Sequence, residues 1–230
     1  GFALALVIWL LIPNSNAFAE SRAESKTSQP AEQVITGGSW GILKPAKFWS
    51  LATIVFLDSI VQAVFLTFIA FVAIEKGLSA GVATSAVVLT LAGGMVGKFL
   101  CGVLSANVGD RMAFVLIQSA TVAGIVAVIY LPPFALLITL PVVGLFVQGS
   151  STICYGAVAD YVEESRQSRG YSLIYTSANL ASVVGPLMLG VVADRSSLQT
   201  VLWTLAAISA ATMIFSACLG RDNSIRSETS

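Results

Sequence analysis

The chain has 230 residues, of which 56% are hydrophobic and 10% charged, with 12 basic and 12 acidic side chains and a formal net charge of zero. A water-soluble domain carries about 25% charged residues, so this composition excludes an ordinary soluble fold and fits a lipid environment. The balanced charge gives no footing for nucleic-acid binding or for a polybasic membrane-surface anchor. His is absent, which removes imidazole proton relays and most zinc or haem ligation. Cys101, Cys154 and Cys218 lie far apart inside apolar runs without a CxxC pair, and they read as packed free thiols. No metal or cofactor is expected. The glycine-rich patches lack the strand-then-helix context that phosphate binding needs.

The chain opens inside an apolar run, Gly1 to Pro13, too short for a hydrocarbon core that needs about 20 residues. Residues 1–12 read as the tail of a truncated transmembrane helix. A trimmed signal peptide competes, because Ala17-Phe18-Ala19 resembles a cleavage site, but its basic n-region is missing. Residues 13–45 form a polar linker rich in Ser, Ala, Glu and Lys, too poor in apolar side chains to build a core.

Residues 46–219 hold six long apolar runs, and residues 220–230 form a polar tail. The runs cover about 48–74, 80–108, 112–131, 134–159, 170–193 and 200–219. Each is long enough to cross a bilayer as a helix. None shows the ten-residue alternation of a membrane β-strand. Abundant Gly, Ala and Ser within the runs suit close helix packing in lipid. The fold class expected is an all-α membrane protein with a six-helix transmembrane bundle.

Basic residues set the orientation. With a cytoplasmic linker, ten basic residues fall inside: Arg22, Lys26, Lys44, Lys47, Lys98, Arg111, Arg166, Arg169, Arg221 and Arg226. Only Lys76 and Arg195 fall outside. This positive-inside bias puts the linker and the carboxyl terminus in the cytoplasm and counts against the signal peptide, which would invert it.

Of the acidic residues only Asp58 lies deep in a run, ten residues past Phe48 and so about 15 Å along a helix. A charge at mid-bilayer costs about 2.5–3.5 kcal/mol on insertion scales, so such a group faces a cavity or a partner. Asp58 is a candidate proton carrier; as a protonated group it could equally serve only to bond a neighbouring helix. Gln62, at i+4, shares its face. Gln148, Ser151, Thr152 and Tyr155 repeat that spacing in the fourth run, as do Tyr171, Tyr175, Asn179 and Ser182 in the fifth. Three polar stripes are what a water-accessible pocket between helices requires, although hydroxyls and amides also simply satisfy neighbouring helices. The third and sixth runs look poorer in such stripes and fit a lipid-facing role. Lys98 can snorkel to the cytoplasmic interface or take part in gating.

The stretch from Gly97 to Arg111 resembles the loop signature of the major facilitator superfamily, through Gly97, Lys98, Gly102, Leu104, Gly109 and Arg111. Ala106-Asn107 replaces the signature's Asp-Arg pair, which removes the charged part of a cytoplasmic lock. Glu164 to Asp194, with Arg166, Arg169-Gly170, Gly185-Pro186 and Gly190, looks like the family's penultimate helix and its preceding loop. The overall pattern is similar to the fosmidomycin-resistance-like branch of drug exporters. The resemblance implies the second half of a twelve-helix fold, helices seven to twelve, with a partner half of six helices at the amino-terminal side. It further implies alternating access around a midplane site, with Gly97, Lys98, Gly102, Gly109 and Arg111 forming a gating loop. Gly93, Gly94, Gly97 and Gly102 would allow close packing and sliding near that gate.

The reading that follows is a secondary transporter in the plasma membrane (the inner membrane of a bacterium). It moves a small organic molecule together with protons through Asp58. The alternatives are a transport-inactive sensor or scaffold, and a cation transporter in which Asp58 is the substrate's counter-ion. An enzyme is not expected, because no clustered nucleophile, acid–base pair or metal set occurs at one depth.

Overall fold

The computed structural model describes residues 45–162 and 166–216. The apolar run at 1–12, the linker up to residue 44, Glu163, Glu164, Cys218 and the tail lie outside them. Among the described residues six helices are long and apolar enough to cross a membrane. They are α1 (Pro45–Glu75), α2 (Ala80–Val108), α3 (Asp110–Tyr130), α4 (Pro133–Gly156), α5 (Gln167–Arg195) and α6 (Leu198–Phe215). Their bounds follow the apolar runs closely. In the fourth run the α-helix ends at Gly156 and a 3-10 turn, Ala157–Tyr161, carries the chain onward.

The punctuation has local causes. Gly109, at φ +86°, makes the turn between α2 and α3, a conformation that an L side chain adopts only with strain. Ser105 donates to Asp110 across that turn, and Asp110 sits in the first turn of α3, where the helix dipole favours an acid. Pro132 and Pro133 end α3 and open α4, Pro133 being the first helical residue, where a missing N–H costs nothing. At this same end of the bundle the Lys76 ammonium donates to the carbonyls of Ile129 (3.0 Å) and Leu131 (2.7 Å), closing the last turn of α3.

The helix α1 packs against α2, α4, α5 and α6 and has the largest buried share of the six spans. The closest pairing is between α2 and α4. A Cβ at Gly93 would collide with the backbone of Pro141, one at Gly97 with Leu145, and one at Gly144 with Thr90. Glycine on both sides lets the two backbones touch, which in lipid is a main source of helix association. Gly94 faces the Gln148 side chain, which a Cβ would meet at 2.7 Å. Gly102 differs, since its nearest neighbour would be an ordinary contact with Thr152 at 3.6 Å.

The core divides into two apolar clusters. One, toward the α3–α4 connection, contains Val64, Phe65, Ile69, Ile125, Leu136, Leu140 and Leu205. The other, toward the α2–α3 turn, contains Phe48, Ile54, Phe114, Ile117, Ile153 and Ile174. Between them, on four of the helices, polar side chains replace apolar ones. Asp58 and Ser59 of α1, Gln118 and Thr121 of α3, Ser150 of α4, and Ser209 and Thr212 of α6 are all buried. This layer corrects the lipid-facing reading of the third and sixth runs. Those helices do expose apolar residues such as Leu116 and Ile214, but their inward faces carry part of the buried polar layer.

Candidate functional site

Asp58 lies thirteen residues into α1, about 20 Å from that end and about 25 Å from the other. It is only 3% exposed. Its carboxylate accepts three sets of hydrogen bonds, each from a different helix. Gln62 Nε2, one turn on, donates to Oδ2 at 2.6 Å. Ser150 Oγ of α4 lies 2.9 Å from Oδ1 and 2.8 Å from Oδ2. Gln118 Nε2 of α3 donates to Oδ1 at 3.1 Å and also to Thr212 Oγ1 of α6 at 2.9 Å. The carboxyl thus joins four helices at the level between the two apolar clusters. A buried carboxylate is tolerable in such a place because each oxygen is paired.

The arrangement has room for a proton. Ser150 Oγ also lies 3.3 Å from the Val147 carbonyl. When Asp58 is ionised, Ser150 donates to it. When Asp58 is protonated, its O–H can donate to Ser150 Oγ while Ser150 turns its own hydrogen to Val147. Gln118 Oε1 is buried with no protein partner, so a half-turn of that amide supplies a second acceptor.

Beside this cluster opens a cavity of about 540 Å³. It is lined by Ser59 and Gln62 from α1, Lys98 from α2, Gln148, Ser151, Thr152 and Tyr155 from α4, and Tyr175, Asn179 and Ser182 from α5. The rings of Tyr155 and Tyr175 stack at 4.7 Å between centroids, 23° apart. The helical spacing of the polar stripes therefore brings Gln62, Gln148, Tyr155, Tyr175 and Asn179 to one wall. Tyr171 departs from its stripe and packs on the apolar cluster around Phe114 and Ile174.

Asp58 does not line this cavity. Gln62 does, and its amide also touches the carboxylate, so it stands between the two. Lys98, grouped in the sequence with the loop signature, lines the cavity ten residues before the end of α2. Gly97 belongs to the α2–α4 contact, Gly109 to the turn, and Arg111 lies exposed beyond it. Gln118, Ser150 and Thr212 were missed by the sequence reading. Gln118 carried a usable signal, as the single amide in the third run.

Six apolar spans around a buried carboxylate and a polar cavity define a multi-pass membrane protein whose lipid-facing residues meet the bilayer. The sequence profile of the Major Facilitator Superfamily matches residues 51–230, and the chain belongs to that family. No curated protein matches it by sequence. Among solved structures it is similar to the crystal structure of the human organic anion transporter MFSD10 (TETRAN), with a TM-score of 0.57 at 19% identity. The match covers 75% of this chain and 47% of that one. The chain thus spans about half the length of that structure, and a likeness at this identity carries the fold.

Proposed function

We propose that the chain is one half of a secondary transporter that moves a small organic molecule by alternating access, coupled to protons through Asp58. Residues 46–219 would form its six-helix transmembrane domain, with the linker and the carboxyl terminus in the cytoplasm, as the basic residues favour. A second six-helix half would complete the cavity, whose present walls all come from one bundle. Family membership and the chain's span of about half a transporter's length support this reading over an enzyme.

The observation that carries the proposal is the link through Gln62, which bonds the Asp58 carboxylate at 2.6 Å and also lines the cavity. A shift of Gln62 opens a path for water to a carboxyl otherwise held by side chains from two other helices. Rocking of the two halves around the midplane would alternate that access between the membrane's faces. The counter-ion alternative is less well supported, because a substrate cation in the cavity would meet Gln62 before it met Asp58.

The test is flux in vesicles containing the full-length protein. Asp58→Asn keeps the shape and the bonds to Ser150 and Gln118 but cannot release a proton. It should abolish substrate movement driven by a pH gradient while sparing substrate exchange at equal pH. Unchanged gradient-driven flux in that variant contradicts the coupling.

A further inference from the structure

We infer that the cavity binds a small organic anion with an aromatic face, held by Lys98 and by the stacked tyrosines. This deepens the transport reading above and rests on it for the cavity's role as a substrate site. Lys98 is the charged group in the wall. No Asp or Glu lines the cavity, and no carboxylate pairs with Lys98 among the described residues. Asp58, the nearest candidate by depth, is enclosed by Gln62, Ser150 and Gln118.

Depth makes this unpaired ammonium informative. Lys98 is ten residues from the end of α2 and eighteen from its start, so about 15 Å of helix separates it from the nearer end. An ammonium inside a membrane span faces a cavity or an anion. No acid lies in the lining, so Lys98 is the charge that a ligand meets directly, while the Asp58 carboxylate stands behind Gln62.

The remaining wall fits the same ligand. The side-chain amides of Gln148 and Asn179 have no protein partner among the described residues and open into the cavity. Their N–H groups, with the Tyr155 and Tyr175 hydroxyls, offer donors to a carboxylate or sulfonate already drawn by Lys98. The hydroxyls of Ser151 and Ser182 are committed to carbonyls of their own helices. Tyr175 stacks on Tyr155 yet remains 49% exposed, leaving ring surface for an aromatic group.

Binding to the purified full-length protein tests this with three probes of one shape: 2-naphthoate, the neutral 2-naphthamide, and the cationic 2-naphthylmethylamine. The expected order is naphthoate tightest and amine weakest. Lys98→Met should weaken naphthoate about tenfold or more, the scale of a lost charged hydrogen bond, and leave naphthamide unchanged. Lys98→Arg should retain most of the naphthoate affinity. Tyr175→Ala should weaken naphthoate and naphthamide alike. Lys98 is exposed, so its replacement leaves the packing intact.

Binding of the amine in preference to naphthoate overturns the inference, as does an unaltered naphthoate affinity in Lys98→Met. Failure of the wild-type protein to bind any of the three also overturns it. Flux is a separate readout. Naphthoate binding without movement across vesicles sinks the transport reading and leaves the anion site. Movement of amines alone does the reverse.

Discussion

The buried cluster around Asp58 and the cavity beside it use similar side chains, hydroxyls and amides on neighbouring turns of α1 and α4, with opposite results. In the cluster the donors converge on one carboxylate, Gln62, Ser150 and Gln118 all pointing at it. In the cavity the Gln148 and Asn179 amides and the Lys98 ammonium have no protein partner among the described residues. A polar group that is paired inside the protein is committed; one left open is available to water or to a ligand. Gln62 belongs to both regions, which is how the occupancy of one can be sensed by the other.

The comparison can be broken at the contact that holds both regions in register. Gly93→Leu should have the largest effect, since a side chain there must displace the Pro141 backbone and part α2 from α4. The expected outcome is loss of folded, monodisperse protein on size-exclusion chromatography. Normal folding of that variant would show that the two helices are not locked by backbone contact.

A smaller effect sharpens the contrast itself. Gln118→Leu removes a donor from Asp58 and the bond that Thr212 Oγ1 accepts, while Thr212 keeps its own bond to the Ser209 carbonyl. The loss should cost about 1–3 kcal/mol, the penalty for unpaired buried polar groups. Asn179→Ala, on the open wall, should change stability by less than about 0.5 kcal/mol. Thermal unfolding in one detergent compares them directly. Equal losses in the two variants would erase the distinction between paired and open polar groups.

The sequence made some of this legible and hid the rest for a physical reason. Spans were readable because lipid demands a continuous apolar run, whatever the partner helices do. The stripes on α1, α4 and α5 were readable because polar residues repeat at helical spacing, Asp58 and Gln62 on α1 and four residues each on α4 and α5. Gln118, Ser150 and Thr212 were not, because pairs such as Gln118 and Thr121 or Ser209 and Thr212 are too short to make a stripe, and the carboxylate that Gln118 and Ser150 serve lies on another helix. Ser150 even sits beside the Gln148–Ser151 stripe but turns the other way, toward Asp58. Lys98 shows the converse: its place in a recognisable loop signature drew attention away from its depth in the span.

The central claim is that Asp58 gains and loses a proton while staying inside the polar layer. Infrared difference spectra of the full-length protein, recorded between alkaline and acid pH, observe a protonated carboxyl directly through its C=O stretch. The account predicts a band that appears on acidification and is missing in Asp58→Asn. Identical carboxyl bands in the two proteins across that range would contradict it.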